Sequence, residues 1–136
     1  MHVTGQCNCG GVKFKYEGTP GEVGYCHCKA CQRQAGSTGS IYVMVDELAV
    51  DVYENKTMKM FVTVADSGLD VHRHFCGNCG SPIYSKCMAV PGKLFLKAGT
   101  FDDTSLVIPT VEVWTGEAQN WMPHLNDLPR HERAPS

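Results

Sequence analysis

The chain has 136 residues, of which 43% are apolar, and its 12 basic and 14 acidic side chains give a net charge of −2. This length favours a single domain over residues 1–136 with a modest hydrophobic core. The basic residues form no run and no apolar stretch approaches the roughly 20 residues of a bilayer span, which argues against partners such as nucleic acid or a membrane.

Short strands dominate the predicted secondary structure. Residues 12–16 alternate apolar and polar side chains, a pattern typical of a half-buried strand. Only Lys29–Ala35, directly after a cluster of cysteines, has a helical pattern, and it is about two turns long. Prolines make the stretch from Gly116 onward irregular. The pattern therefore predicts an all-β fold, either a sandwich or folded-over sheets. The predicted strands are 12–16, 41–45, 49–53, 58–62, 93–97 and 110–114.

The first residues contain no basic stretch followed by an apolar one, so a secretory signal peptide is not expected. The cytosol is therefore the expected location. The chain contains eight cysteines, seven of them in three groups, and only Cys87 stands alone. In a reducing compartment, cysteines grouped in this way indicate metal binding rather than disulfides.

Two of the groups are pairs of cysteines that could share one metal ion, and the later pair has the form of a zinc knuckle. Cys76 and Cys79 are separated by two residues, a spacing that lets both thiolates reach one ion. Cys7 and Cys9 can form a tighter pair. Each pair supplies half of a tetrahedral shell, and nearly 70 residues separate the pairs. A shared ion would therefore clamp the start of the chain to its second half.

The middle group provides three thiolates within six residues, from Cys26, Cys28 and Cys31. Three protein ligands with a fourth position left free are typical of a catalytic zinc. Two other interpretations remain open. Cys87 or His27 could complete the shell and make this site structural as well, or a pair of these cysteines could act as a redox couple, although the βαβ context of thioredoxin-like motifs is missing.

The order of these motifs resembles the glutathione-dependent formaldehyde-activating enzyme family, which also includes centromere protein V. The matching segments are Cys7 to Gly11, Cys26 to Cys31 and Phe75 to Pro82, with further agreement at Gly36-Ser37 and at Trp121 with Leu128-Pro129-Arg130.

The resemblance implies a β-tent fold of short antiparallel sheets and two zinc ions per chain. It places Cys7, Cys9, Cys76 and Cys79 on a structural zinc. It places Cys26, Cys28 and Cys31 on a catalytic zinc. The activity implied is that of a carbon–sulfur lyase, which joins glutathione and formaldehyde to S-hydroxymethylglutathione or cleaves that adduct. A small thiol such as glutathione is therefore the expected partner.

An open zinc could polarise an aldehyde oxygen or hold a substrate thiolate. Three thiolates leave such a site with one net negative charge, which favours the capture of a thiol over the generation of hydroxide.

The roles expected of four other residues are less specific. Ser37 is a candidate substrate contact, but a turn residue is the more common role. Trp121 could wall the substrate pocket or anchor the tail to the core. His27 is expected to point away from the ion, and Glu112, which alternates with apolar residues, is expected to face solvent.

Three functions compete on these grounds. The first is an enzyme that acts on a thiol adduct. The second is a zinc-stabilised binding module without chemistry, which a closed second site would favour. The third is a thiol redox sensor, whose cysteines would oxidise easily and release zinc.

Overall fold

The computed structural model describes residues 1–125 and 127–134. Its described residues form ten β-strands and one α-helix, joined by short 3₁₀ turns, which confirms the predicted mostly-β fold. No described helix has the length and apolar character that a bilayer span requires. The strands are β1 (His2–Gln6), β2 (Lys13–Glu17), β3 (Val23–Cys26), β4 (Ser40–Asp46), β5 (Val50–Glu54), β6 (Met58–Val64), β7 (Asp70–Cys76), β8 (Pro82–Cys87), β9 (Lys93–Lys97) and β10 (Val111–Val113).

The described strands form two sheets. The smaller sheet has the order β1-β2-β5, and the larger has the order β10-β3-β4-β9-β8-β7-β6. All pairs are antiparallel except β10 with β3, which is parallel. The expected antiparallel sheets are thus confirmed, with one parallel pair at the edge of the larger sheet. Two parallel strands must be joined by a long crossover connection. Here the connection is the chain between β3 and β10, which contains most of the other strands of the larger sheet.

Alternation along the strands creates two separate clusters of buried side chains. In β4, Val43 and Val45 face the smaller sheet and pack with Phe14 and Tyr16 of β2. Tyr42 directly precedes Val43 in the strand, so it points to the opposite face. On that face it joins a second cluster that contains the cysteines of the middle group. The larger sheet therefore separates the main core from the region of the middle group.

The single helix, α1 (Lys29–Ala35), has the bounds that the sequence predicts. Its N-cap is Cys28, whose sulfur accepts a hydrogen bond from the Cys31 amide at 3.3 Å. It ends at Gly36, which has a φ of 63° and donates its amide proton to the Gln32 carbonyl. Glycine is favoured here because a left-handed residue closes the helix with little strain.

The tail after β10 runs along the edge of the larger sheet. The Glu112 amide donates to the Pro129 carbonyl at 2.9 Å, and the His131 amide donates to the Glu112 carbonyl at 3.0 Å. These bonds satisfy backbone groups of β10 that would otherwise lie at an open edge. The tail is irregular, as predicted, but it is attached to the sheet by backbone hydrogen bonds.

We expect Gly5→Ala to destabilise the contact between the sheets. A Cβ at Gly5 would lie 2.4 Å from Cζ of the buried Phe14 and 2.6 Å from the Thr100 carbonyl oxygen. Overpacking of this kind costs about 1–3 kcal/mol. Gly99→Ala is the matched control because its Cβ would meet nothing within 4 Å. The free energy of unfolding, measured by urea titration of both variants, checks the prediction, and equal values for the two variants would contradict it.

Candidate metal centres

Cys7, Cys9, Cys76 and Cys79 together are called the first cysteine group below, and they lie at turns that belong to different sheets. Cys7 and Cys9 lie in the turn after β1, while Cys76 ends β7 and Cys79 lies in the turn before β8. Their four sulfur atoms all lie within 4.8 Å of one another. The structure thus brings together the two pairs that the sequence placed on one ion.

The distances between these sulfurs fit a tetrahedral zinc site. Cys7 Sγ and Cys9 Sγ are 3.7 Å apart, and Cys9 Sγ and Cys76 Sγ are 3.6 Å apart. Four sulfurs that each lie about 2.3 Å from a tetrahedral zinc are separated by roughly 3.8 Å. A disulfide would require about 2.05 Å. The spacing and the thiol donors therefore suit an ion such as zinc.

Neutral donors surround the sulfurs of the first group. The Val12 amide donates to Cys7 Sγ at 3.3 Å, and the Thr57 hydroxyl lies 3.1 Å from Cys76 Sγ. The Ser81 hydroxyl lies 3.2 Å from Cys79 Sγ, and its hydrogen bond is the main cause that lowers the pKa of Cys79 to about 5. Such donors stabilise thiolates without adding a full charge.

A glycine follows the second cysteine of each pair in this group. Gly10 has a φ of 79° and Gly80 has a φ of 82°. Each amide donates back to the carbonyl of the first cysteine in its pair, at 3.2 Å and 2.8 Å respectively. The two turns are thus built alike, because the left-handed conformation that reverses the chain favours glycine.

The middle cysteine group lies at the junction between the end of β3 and the start of α1. Cys26 ends β3, Cys28 is the N-cap of α1, and Cys31 lies in its first turn. Their sulfur atoms lie within 4.8 Å of one another. In the part of the chain that the structure describes, no fourth Cys, His, Asp or Glu atom joins this set at that distance. The group can therefore supply three ligands and leave a fourth position for another molecule.

The three thiols of the middle group share their protons unequally. Hydrogen bonds from Cys26 and Cys28 lower the pKa of Cys31 to about 2, and the charges of Lys97 and Arg73 act in the same direction. Hydrogen bonds to Cys28 and to Cys31 raise the pKa of Cys26, which acts as their donor. Negative charge thus collects at this group, which is a favourable environment for a cation.

His27 does not join the middle group, although it lies between two of its cysteines in sequence. Its side chain is fully buried, and its Nε2 donates to the Glu112 carboxylate at 2.8 Å. The expectation that His27 points away from the sulfurs agrees with this contact. The Gln32 side chain donates to the His27 carbonyl at 2.7 Å and so fixes the same segment from the side of α1.

Glu112 is fully buried, so the expectation that it faces solvent is wrong. Besides His27, its carboxylate accepts hydrogen bonds from the Leu125 amide at 3.2 Å and from Arg130 Nε at 3.1 Å. His124 Nδ1 lies 3.4 Å away. Burial acts to raise the pKa of Glu112, but these hydrogen bonds outweigh it and lower the pKa.

The three side chains of His27, Glu112 and His124 lie within 4.8 Å of one another, as metal ligands do. The Arg130 guanidinium shares the same carboxylate, however, and a second cation beside it opposes the binding of a metal ion. We therefore interpret this set as a hydrogen-bonded ion network that joins the tail to the segment carrying the middle group.

Ser37 and Trp121 line one surface cavity of about 580 Å³ beside α1. Trp121 is 68% exposed, so the alternative in which it anchors the tail to the core is wrong. Ser37 also has the turn role, because its amide donates to the Gln32 carbonyl at 3.2 Å. Lys29 and Arg33 contribute positive charge to the same cavity.

A second cavity of about 540 Å³ lies beside the first cysteine group, and none of the three cysteines of the middle group lines it. Cys79 and its neighbours line one side of this cavity, and Ser40 and Lys97 line another. Lys97 is only 7% exposed, and Arg73, close to it in the structure, is 8% exposed. Neither residue is singled out by the sequence pattern: Lys97 lies at the end of a predicted strand, and polar residues on both sides of Arg73 hide the alternation of its strand.

Comparisons with known proteins agree with this geometry. A model of the family described as glutathione-dependent formaldehyde-activating enzyme matches residues 2–117. Among curated proteins, none matches the chain. The crystal structure of a Rhodobacter sphaeroides protein, a structural-genomics target, has a TM-score of 0.61 and 17% sequence identity, and the match covers 74% of this chain and 88% of that chain. At this identity the likeness concerns the fold.

We expect Cys76→Ser to lower the metal content by one zinc per chain and to destabilise the fold by several kcal/mol. Structural zinc sites contribute about 10–16 kcal/mol of apparent binding free energy, which is comparable to the stability of a whole domain. Cys87→Ser is the matched control, since Cys87 belongs to neither group. Elemental analysis and thermal unfolding of both variants test this, and a Cys76→Ser protein with unchanged zinc content would contradict it.

Proposed function

The chain belongs to the glutathione-dependent formaldehyde-activating enzyme family, and from this membership we propose that it is a zinc-dependent enzyme of the carbon–sulfur lyase type. Its substrate would be a thiol adduct such as S-hydroxymethylglutathione, and its expected location is the cytosol. The observation that carries the proposal is the middle group, whose three sulfurs lie within 4.8 Å of one another without a fourth protein ligand among the described residues.

The proposed metal content is two zinc ions per chain. Cys7, Cys9, Cys76 and Cys79 would hold one ion in a closed shell. Cys26, Cys28 and Cys31 would hold the other and leave a position for substrate. When bound at the middle group, zinc supplies a Lewis acid that prefers sulfur but also accepts a carbonyl oxygen.

The proposed reaction cleaves the carbon–sulfur bond of the adduct or forms it in the reverse direction. In cleavage, the electron pair of the C–S bond returns to sulfur, the adduct's hydroxyl loses its proton, and the carbon–oxygen bond becomes the double bond of formaldehyde. The released thiolate takes up one proton to give the free thiol, so atoms and charges balance.

The cavity beside α1 supports an anionic thiol as the substrate. Lys29 and Arg33 line it and can pair with the carboxylates of a molecule such as glutathione. The Ser37 hydroxyl can accept or donate one hydrogen bond, and the exposed Trp121 indole offers a flat apolar surface. The helix that lines the cavity begins at Cys28, so substrate bound there would lie beside the middle group.

We expect Cys28→Ser to abolish turnover of S-hydroxymethylglutathione while the fold persists. Serine is a better N-cap than cysteine, so α1 keeps its start, but the soft sulfur ligand is lost. The zinc content should fall from two to one and turnover by roughly 100-fold or more, because changes outside the ligand set already cost about 10–100-fold. Cys87→Ser is the control and should keep wild-type turnover. Wild-type turnover in Cys28→Ser would contradict a catalytic role of the middle group, whereas a wild-type chain without turnover would favour the non-catalytic binding module.

We expect Trp121→Ala to raise the KM for the glutathione adduct by roughly 3–10-fold, the equivalent of about 0.5–1.5 kcal/mol of aromatic contact. Because Trp121 is 68% exposed, its loss should leave the free energy of unfolding unchanged. Phe61→Ala is the matched control, since Phe61 is 64% exposed on β6 and lines neither cavity. Steady-state kinetics measure the effect, and the same KM in both variants would place the substrate elsewhere.

A further inference from the structure

Two cations are buried beside the middle cysteine group. Arg73 extends from β7 and Lys97 ends β9, and they are 8% and 7% exposed. Arginine and lysine are almost never buried to this degree unless a negative charge compensates them. The positive charges of Arg73 and Lys97 therefore require negatively charged neighbours.

Arg73 reaches the middle group directly. Its Nη1 lies 3.8 Å from Cys31 Sγ and donates to Gln34 Oε1 at 3.0 Å, so the guanidinium contacts two residues of α1. Its Nε donates to the Thr63 hydroxyl at 3.0 Å. These contacts fix the position of the guanidinium, but only the sulfur among them can carry negative charge.

The neighbours of Arg73 across the sheet are neutral as well. Phe61 of β6 and Ser85 of β8 are its partners in the strand register. A cation at this position therefore gains no compensation from its own sheet, and the nearest ionisable group it contacts is the Cys31 thiol.

Lys97 also lies close to the middle group. Its Nζ donates to the Ser40 hydroxyl at 3.0 Å, and Ser40 is the register partner of Cys26 across the β3–β4 pair. Burial lowers the pKa of Lys97, whereas Cys31 and Cys26 act to raise it. Burial thus disfavours the charged form of the Lys97 ammonium group, and the cysteines favour it.

Carboxylates do not take this role. In residues 1–125 and 127–134, neither Arg73 nor Lys97 has a carboxylate oxygen within 4.0 Å. Among the described residues, the middle group lies near both cations and carries up to three thiolates, so it can supply the compensating charge. Cys87 also lies near them, but burial raises the pKa of its thiol and so favours the neutral form.

We propose that Arg73 and Lys97 are the counter-charge of the middle group and set its affinity for a divalent metal ion and for a further anionic ligand. Three thiolates and a divalent ion have one net negative charge. With the two cations the site has one net positive charge, so it can accept an anion such as a substrate thiolate. The inference rests on metal binding by the middle group, which is part of the proposed function.

The test is the zinc affinity of the intact chain loaded with two zinc ions, measured by titration with a chromophoric chelator at fixed pH and ionic strength. We expect Arg73→Met and Lys97→Met each to release the more weakly held ion at a chelator concentration roughly 10–100-fold lower than the wild type does. The ion of the first group should stay bound at the wild-type chelator concentration.

Two further variants separate charge from shape and from overall electrostatics. Arg73→Lys keeps the positive charge and should retain most of the affinity. Lys15→Met removes one positive charge from a side chain that is 59% exposed and should change nothing. Should Arg73→Met fail to fold, Lys97→Met and Arg73→Lys still decide the question.

Wild-type affinity in both methionine variants would overturn the inference. So would a loss in Arg73→Lys as large as that in Arg73→Met, because packing and not charge would then explain it. A wild-type chain that binds a single zinc ion would overturn the proposed function itself, and this result is distinct from the other two.

Discussion

The rest of the structure depends on the junction of four sulfurs at the first cysteine group. Cys7 and Cys9 belong to the smaller sheet and Cys76 and Cys79 to the larger one, and their sulfurs meet at distances that fit a tetrahedral ion. A 136-residue chain has a modest core, so a metal bound at this junction would add free energy comparable to that of the whole fold. The same junction sets one wall of the second cavity, because Cys79 lines it.

The Glu112 carboxylate holds in place the segment that carries the middle group. It joins His27, which lies between Cys26 and Cys28, to the tail at Leu125 and Arg130. A buried carboxylate is unfavourable without partners, and here several donors compensate for its lost hydration. The segment that carries the middle group is therefore held by hydrogen bonds from the tail and from α1.

The sequence predicts those features of the molecule that depend on close neighbours along the chain. The bounds of α1 are predicted correctly, and the cysteines that are close in sequence lie close in the structure, because spacing of this kind acts over a few positions. Strand β3 was missed because all four of its residues are buried and it contains a glycine, so no alternation marks it. Strand β7 was missed because its polar residues His72, Arg73 and His74 hide the pattern.

Glu112 and the two buried cations could not be assigned from the sequence for a different reason. Alternation along a strand shows which residues share a face, but it does not show what covers that face. The tail covers Glu112, and α1 covers Arg73, and both contacts join residues far apart in the chain. Such contacts follow from the topology of the sheet, which the sequence pattern alone does not determine.

The two cysteine groups differ most in what compensates their charge. Amide and hydroxyl groups surround the first group, and they stabilise thiolates while leaving the net charge as it is. Full positive charges lie beside the middle group, at Arg73 and Lys97. A closed shell of four thiolates needs no further anion, so neutral donors are sufficient for it. A shell of three gains negative charge in a buried place when an anionic fourth ligand enters, and the two cations beside it can offset that change. The kind of compensation thus supports the assignment of a closed role to the first group and an open role to the second.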